Sequence, residues 1–179
     1  MNIDITGITL MTPRLILRPF CMEDAADVFA YAKDADVGPM AGWAPHKDLV
    51  ESERVVRMFM DGKKTFAVVH REDGNVIGSI GIEELSLLLP GYGDHNGREI
   101  GYVLSKSYWG QGLMPEAAKE VIRYCFEEAG CEYLICSHSA ANHRSKRVME
   151  KCGFTFVCEH PRTLTNGETS MAQYHVLLK

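Results

Sequence analysis

Ile100-Gly101-Tyr102-Val103-Leu104-Ser105-Lys106-Ser107-Tyr108-Trp109-Gly110-Gln111-Gly112-Leu113-Met114-Pro115-Glu116-Ala117 carries the pattern that decides the fold. It opens as an apolar strand, passes through a turn with two glycines, and enters a helix. The spacing predicts that helix over Met114 to Ala129, with Ala117, Ala118, Val121, Ile122 and Cys125 at steps of three and four. Pro115 near its start and Gly130 just past its end fit the usual asymmetry of helix termini. Tyr133 to Cys136 then reads as another strand. Strand, helix, strand in that order predicts a parallel pair with a right-handed crossover.

Working outward, Arg14 to Arg18 alternates and reads as a strand closed by Pro19. Glu23 to Lys33 reads as a short helix, Asp34 to His46 as a loop rich in Gly and Pro, and Asp48 to Met60 as a second helix. Thr65 to His70 and Val76 to Glu84 read as a hairpin turned at Asp73-Gly74. Pro90 to Gly97 is a loop and Arg98 to Ser105 the fourth strand. Ser145 to Lys151 reads as a short helix, followed by closing strands over Phe154 to Glu159 and Met171 to Leu178 with Asn166-Gly167 between them. The ordering predicts one α/β domain over 1–179, a mixed sheet with helices on both faces.

Composition narrows the function. The chain has 179 residues, 46% hydrophobic and 24% charged, ordinary values for a globular domain. No apolar run approaches the ~18 residues of a membrane helix. Met-Asn-Ile-Asp-Ile-Thr lacks the basic start and apolar stretch of a secretory signal, so a cytoplasmic protein is expected. A net charge of -5 disfavours a whole-surface attraction for nucleic acid and leaves open only a local basic patch, such as Arg144 to Lys151. Cys21, Cys125, Cys131, Cys136, Cys152 and Cys158 include no Cys-x-x-Cys pair and read as free thiols. Cys136, His138 and His143 lack zinc spacing, so no metal is expected.

The turn at Gly110-Gln111-Gly112 is an anion site in outline. A helix start carries unpaired N–H groups and partial positive charge, and glycines let a phosphate approach the backbone. It is neither a Walker sequence nor Gly-x-Gly-x-x-Gly, and on this pattern alone a tight turn accounts for it equally well. A second stretch runs from Asn142 to Phe154. Asn142 fits a helix N-cap and Gly153 a C-cap, and Arg144, Lys146, Arg147 and Lys151 fit a solvated charged face.

Together the two stretches resemble the GNAT superfamily of acyl-CoA-dependent N-acetyltransferases, most closely the RimJ/RimL-like branch of ribosomal-protein N-terminal acetyltransferases. The superfamily's Gln/Arg-x-x-Gly-x-Gly/Ala motif falls on Trp109 to Met114, where only Gly112 matches strictly. Tyr108-Trp109-Gly110-Gln111-Gly112 has the form usual in that branch, while Met114 replaces a small residue. Asn-x-x-Ser ending in Glu-Lys-x-Gly-Phe matches at Asn142, Ser145, Glu150, Lys151, Gly153 and Phe154. The opening Thr12 to Pro19 and the Trp43-x-Pro45-His46 loop are also similar to that branch.

The resemblance implies a mostly antiparallel sheet whose fourth and fifth strands splay apart, with the pantetheine arm of acetyl-CoA lying between them against backbone groups of Val103, Leu104 and Ser105. It implies that the Leu104 N–H faces the thioester carbonyl, that the pyrophosphate rests on amides of Trp109, Gly110, Gln111, Gly112, Leu113 and Met114, and that Asn142 and Ser145 reach the arm or the departing sulfur. Arg144, Lys146 or Arg147 would touch the 3′-phosphate. The chemistry implied is direct acetyl transfer from acetyl-CoA, the co-substrate, to a primary amine, either a peptide N-terminus or a small amine such as a polyamine or aminoglycoside. Glu99 is the expected base. Met149 stands where many relatives carry a proton-donating Tyr, which leaves Ser145 or water to meet the thiolate, or the thiolate to depart unassisted. Trp43, Glu99 and Tyr102 are expected at the acceptor, with Asp94 and His95 placed to meet a cationic one. His46 reads as a loop or cap residue. Tyr102 and Tyr108 are spare donors that core packing also explains. A homodimer is compatible with the exposed strand edges of such a fold. A non-catalytic acyl-CoA-binding module is the alternative of another class.

Overall fold

The computed structural model describes residues 3–93, 96–165 and 167–179. The strands are β1 (Leu10–Met11), β2 (Leu15–Pro19), β3 (Thr65–His70), β4 (Val76–Glu83), β5 (Gly97–Leu104), β6 (Tyr133–Ser139), β7 (Thr155–Thr163) and β8 (Thr169–Leu178). The α-helices are α1 (Ala25–Ala32), α2 (Gly38–Ala41), α3 (Leu49–Gly62), α4 (Leu113–Glu127) and α5 (His143–Lys151). One sheet runs in the order β1-β2-β3-β4-β5-β6-β8-β7. Every neighbouring pair is antiparallel except β5 and β6, the pair that flanks the α4 crossover. The short β1 makes the expected fourth and fifth strands β5 and β6.

Alternation along β3 shows how the sheet is sandwiched. Phe66 and Val68 pack with Leu113, Ala117, Ala118, Val121 and Cys125 of α4. Ala67 and Val69 point the other way, against Val28 and Ala32 of α1 and Val56 of α3. A period of two on the strand therefore serves two helical layers. Full burial of an aliphatic side chain such as Val121 is worth ~1.5–3 kcal/mol. Caps fix the helix ends: the Asp48 carboxylate accepts from the Glu51 N–H at 2.9 Å and Asn142 Oδ1 from the Ser145 N–H at 3.1 Å.

Three sequence expectations need correction. Asp34 to His46 is not loop throughout, because Gly38–Ala41 closes one helical turn with Pro39 in it and Gly42 leaves it at φ 93°. Trp43 lies so close on Gly38 that a Cβ there would sit 2.6 Å from its ring. The closing strand expected to stop at Glu159 runs on to Thr163 through Pro161. An edge strand tolerates proline, since one side has no partner to receive an N–H. The helix expected to begin at Ser145 begins at His143.

Candidate active site

Strands β5 and β6 pair only at Gly97–Tyr133, Arg98–Leu134 and Glu99–Ile135. Past that point β5 stays bound to β4 as far as Leu104–Gly78, while β6 stays bound to β8 as far as Ser139–Ala172. Each strand follows its own partner, so a wedge opens between them. The cleft there measures ≈ 450 Å³, within the range of small-molecule sites.

The phase of the β4–β5 ladder decides which backbone groups line the wedge. The Ser105 N–H donates to the Ile77 carbonyl at 2.7 Å. Antiparallel pairing alternates, so the polar groups of Val103 and Ser105 point to β4 and those of Tyr102 and Leu104 point to the wedge. The expectation of Val103 and Ser105 as exposed backbone is thereby corrected: their backbone groups are turned away and consumed by the ladder. The Leu104 carbonyl accepts from the Trp109 indole Nε1 at 2.8 Å, which leaves the Tyr102 and Leu104 N–H groups as the donors on this wall.

Beyond β5 the chain makes the glycine turn. Gly110 and Gly112 adopt φ 78° and 75°, and Gly112 is the N-cap of α4. Among the described residues, the N–H groups from Gly110 through Met114 have no acceptor. The turn is braced from behind. Glu116 accepts from the Thr12 hydroxyl at 2.6 Å, from the Arg14 N–H at 2.9 Å and from the Arg14 guanidinium at 2.7 Å, and Arg14 also donates to the Gln111 carbonyl at 2.9 Å. Burial raises the Glu116 pKa, but these bonds outweigh it and hold the carboxyl below its ordinary value. With its carbonyl and its acid turned backward, the turn presents unpaired N–H groups. The Arg144 guanidinium stacks over Trp109 at 4.1 Å, and Arg147 and Lys151 of α5 line the same cleft.

Asn142 and Ser145 stand where α5 meets the cleft. The Asn142 amide donates to the Met40 carbonyl at 3.3 Å while its oxygen caps α5. The Ser145 hydroxyl lies 2.9 Å from the Tyr102 hydroxyl, which also reaches the Ser145 carbonyl at 3.1 Å. Burial pushes the Tyr102 phenol well above its ordinary range, so it remains protonated. Met149 is buried under α4.

Glu99 lies at the narrow end, on the last paired rung. Its carboxylate accepts from the Ser137 hydroxyl at 3.0 Å and from the Ser86 N–H at 3.0 Å. Ser137 lines the cleft and receives a longer contact of 3.4 Å from Arg162 of β7. Sequence reasoning missed Ser137 and Arg162, since nothing local marks either. On the other side of the sheet, Trp43 walls a smaller recess of ≈ 200 Å³ with Phe59, Thr65, Ser79, Glu83 and Gly101. The two spaces share Ala41, Gly101, Tyr102 and Val103. His46 packs on Trp43 and bonds Ser52 at 2.8 Å. Tyr108 donates to the Asp73 carboxylate. Asp94 and His95 lie outside the described residues. His138 stacks on His175, and among the described residues no group of three or more His, Cys, Asp or Glu could hold a metal ion.

A splayed parallel pair leading into a helix mouth of unpaired N–H groups offers a slot for an extended ligand that ends in an anionic group. Residues 14–155 match the acetyltransferase (GNAT) domain model, and the chain belongs to that family of acetyl-CoA-dependent N-acetyltransferases. It is 28% identical over 152 residues to an uncharacterized N-acetyltransferase, p20, of Bacillus licheniformis, covering 82% of each chain. Its fold is similar to a GNAT-family acetyltransferase from Bacillus anthracis, with a TM-score of 0.81, 24% identity and 96% and 98% of the two chains covered. It is similar also to a putative ribosomal-protein-serine acetyltransferase from Vibrio cholerae, with a TM-score of 0.80, 23% identity and complete coverage of both chains.

Proposed function

We propose that this chain acts as a single domain of the RimJ/RimL-like kind, moving the acetyl group of acetyl-CoA to a peptide N-terminal α-amine by direct attack in a ternary complex. The observation that carries the reading is the row of unpaired N–H groups from Gly110 through Met114 at the open end of the β5–β6 wedge. A diphosphate satisfies those donors. The arm then runs down the wedge as an added strand toward the Leu104 and Tyr102 N–H groups, either of which can hold the developing oxyanion. Arg147, exposed on α5, meets the adenosine phosphate.

The acceptor amine must lose a proton before it can attack. Glu99 takes that proton, directly or through water at Ser137. The nitrogen then bonds the acetyl carbon, the carbon–sulfur bond breaks, and the thiolate leaves past Ser145, taking up the proton that the new amide nitrogen sheds. Its hydroxyl touches a phenol that stays protonated. Trp43 and Gly101 bound the space for the first residue of the acceptor.

The test is calorimetric titration with acetyl-CoA, followed by a screen of N-terminal peptides and of small amines, including a polyamine and an aminoglycoside, for release of free CoA thiol. The reading expects tight binding and turnover on peptides. Binding with no turnover on any amine would leave only an acyl-CoA-binding module.

A further inference from the structure

Among the described residues, Arg162 is the one Arg or Lys of the cleft that does not belong to α5. Arg144, Arg147 and Lys151 come from that helix, and the first of them stacks on Trp109 beside the glycine turn. Arg162 comes from β7, where it pairs with Ser170, and reaches Ser137. Ser137 is two residues past the last β5–β6 rung, so this guanidinium stands at the narrow end of the wedge. It is half-buried, and among the described residues it has no carboxylate partner. Among the described residues, its single hydrogen bond is the 3.4 Å contact to Ser137, whose own hydroxyl is given to Glu99 at 3.0 Å.

The guanidinium lies beside the Gly42 segment. A Cβ built on Gly42 would lie 3.6 Å from its Nη2. The tip of the same hairpin is tied to that segment, with the Thr165 hydroxyl donating to the Gly42 carbonyl at 2.8 Å. A planar fork with most of its N–H groups unused suits an oxyanion taken through two parallel bonds, a carboxylate or a phosphate. The carrier's phosphates belong at the glycine turn, at the open end of the wedge, which leaves a carboxylate for the narrow end.

We propose that Arg162 selects acceptors carrying a carboxylate a few bonds from the reacting amine. This rests on the acetyl-transfer reading, with the amine at Glu99. Glu99 and Arg162 are separated by a single bridging hydroxyl, so an amine at the first places a nearby acid at the second. Two sources share that chemistry: the side chain of an Asp or Glu that begins a peptide, and the α-carboxylate of a free amino acid. A polyamine meets the opposite situation, because its second ammonium is driven against a guanidinium that has no carboxylate partner among the described residues.

The test compares kcat/KM for peptides that begin with Asp and with Asn but are otherwise identical, and for free aspartate and its diamide, in the wild type, Arg162→Gln and Arg162→Lys. The proposal expects the wild type to favour the acid over its amide by about tenfold or more in at least one pair, and the pair that shows it identifies the source. Arg162→Gln abolishes that ratio and Arg162→Lys restores part of it. Acetyl-CoA affinity, measured by calorimetry, stays unchanged in both variants and reports that they fold. Equal rates on acid and amide in the wild type, or a ratio that survives in Arg162→Gln, overturns the proposal while acetyl transfer stands. If no amine of either charge is consumed, the transfer reading itself falls and this inference falls with it.

Discussion

Glu99 reaches the cleft through one hydroxyl, that of Ser137, and its second oxygen is taken by a backbone N–H. Glu99→Gln keeps the shape and removes the base. The expected outcome is a fall of about 10²–10⁴-fold in kcat with acetyl-CoA affinity unchanged, read by thiol release and calorimetry; an unaltered kcat removes Glu99 from the chemistry. The positions of Glu99 and Ser145 were legible because each sits inside a local pattern, one on a strand and one at a capped helix start; the roles proposed for them come from the resemblance. The wedge donors were only half legible. Two strands flank β5, and the sequence does not reveal the phase of the ladder, so Val103 and Ser105 stood where Tyr102 belongs. Arg162 was invisible for another reason: its meaning comes from Ser137 and Gly42, which only the folded hairpin brings near.

At the scale of elements, the mouth of α4 is built from both sides. Gly112 at φ 75° faces the cleft side and Glu116 the brace. A Gly112→Ala substitution forces a Cβ into the left-handed region at about 1–2 kcal/mol. It is expected to weaken acetyl-CoA more than it lowers the melting temperature, which calorimetry and thermal unfolding separate. Glu116→Gln removes charge-assisted bonds to Arg14, a loss of about 2 kcal/mol at neutral pH. The Glu116 carboxyl titrates below its ordinary 4.5 in the folded protein. Its contribution is therefore complete above about that pH and disappears as pH falls through the depressed value. Denaturant midpoints of wild type and Glu116→Gln should converge in acid; a gap that persists there contradicts this role. The long helices and the hairpin at Asp73-Gly74 were legible from periodicity and turn chemistry. β1 and α2 were not, being too short for a period to show, and β7 hid behind a proline that an edge position tolerates.

Over the whole molecule, the sheet is closed on one side of the wedge and pinned on the other by β6, β8 and β7. That second half holds a buried stacked pair, His138 and His175, with ring centroids 5.1 Å apart. Among the described residues, His138 Nε2 and His175 Nδ1 have no hydrogen-bond partner. Burial lowers both pKa values below the ordinary 6.5. The unfolded chain thus binds protons first, and stability that is complete above about pH 6.5 is lost as pH falls below it. Melting temperature is expected to drop between pH 7 and 5.5 and to drop less in His175→Phe; equal slopes contradict it.

The central claim is that acetyl-CoA lies in the β5–β6 wedge with its diphosphate on the mouth of α4. Amide hydrogen exchange with and without acetyl-CoA tests it most directly. The account predicts new protection at the N–H groups of Tyr102, Leu104 and Gly110 through Met114, with Val103 and Ser105 already protected without ligand. Protection appearing elsewhere, with those amides exchanging as before, would contradict it.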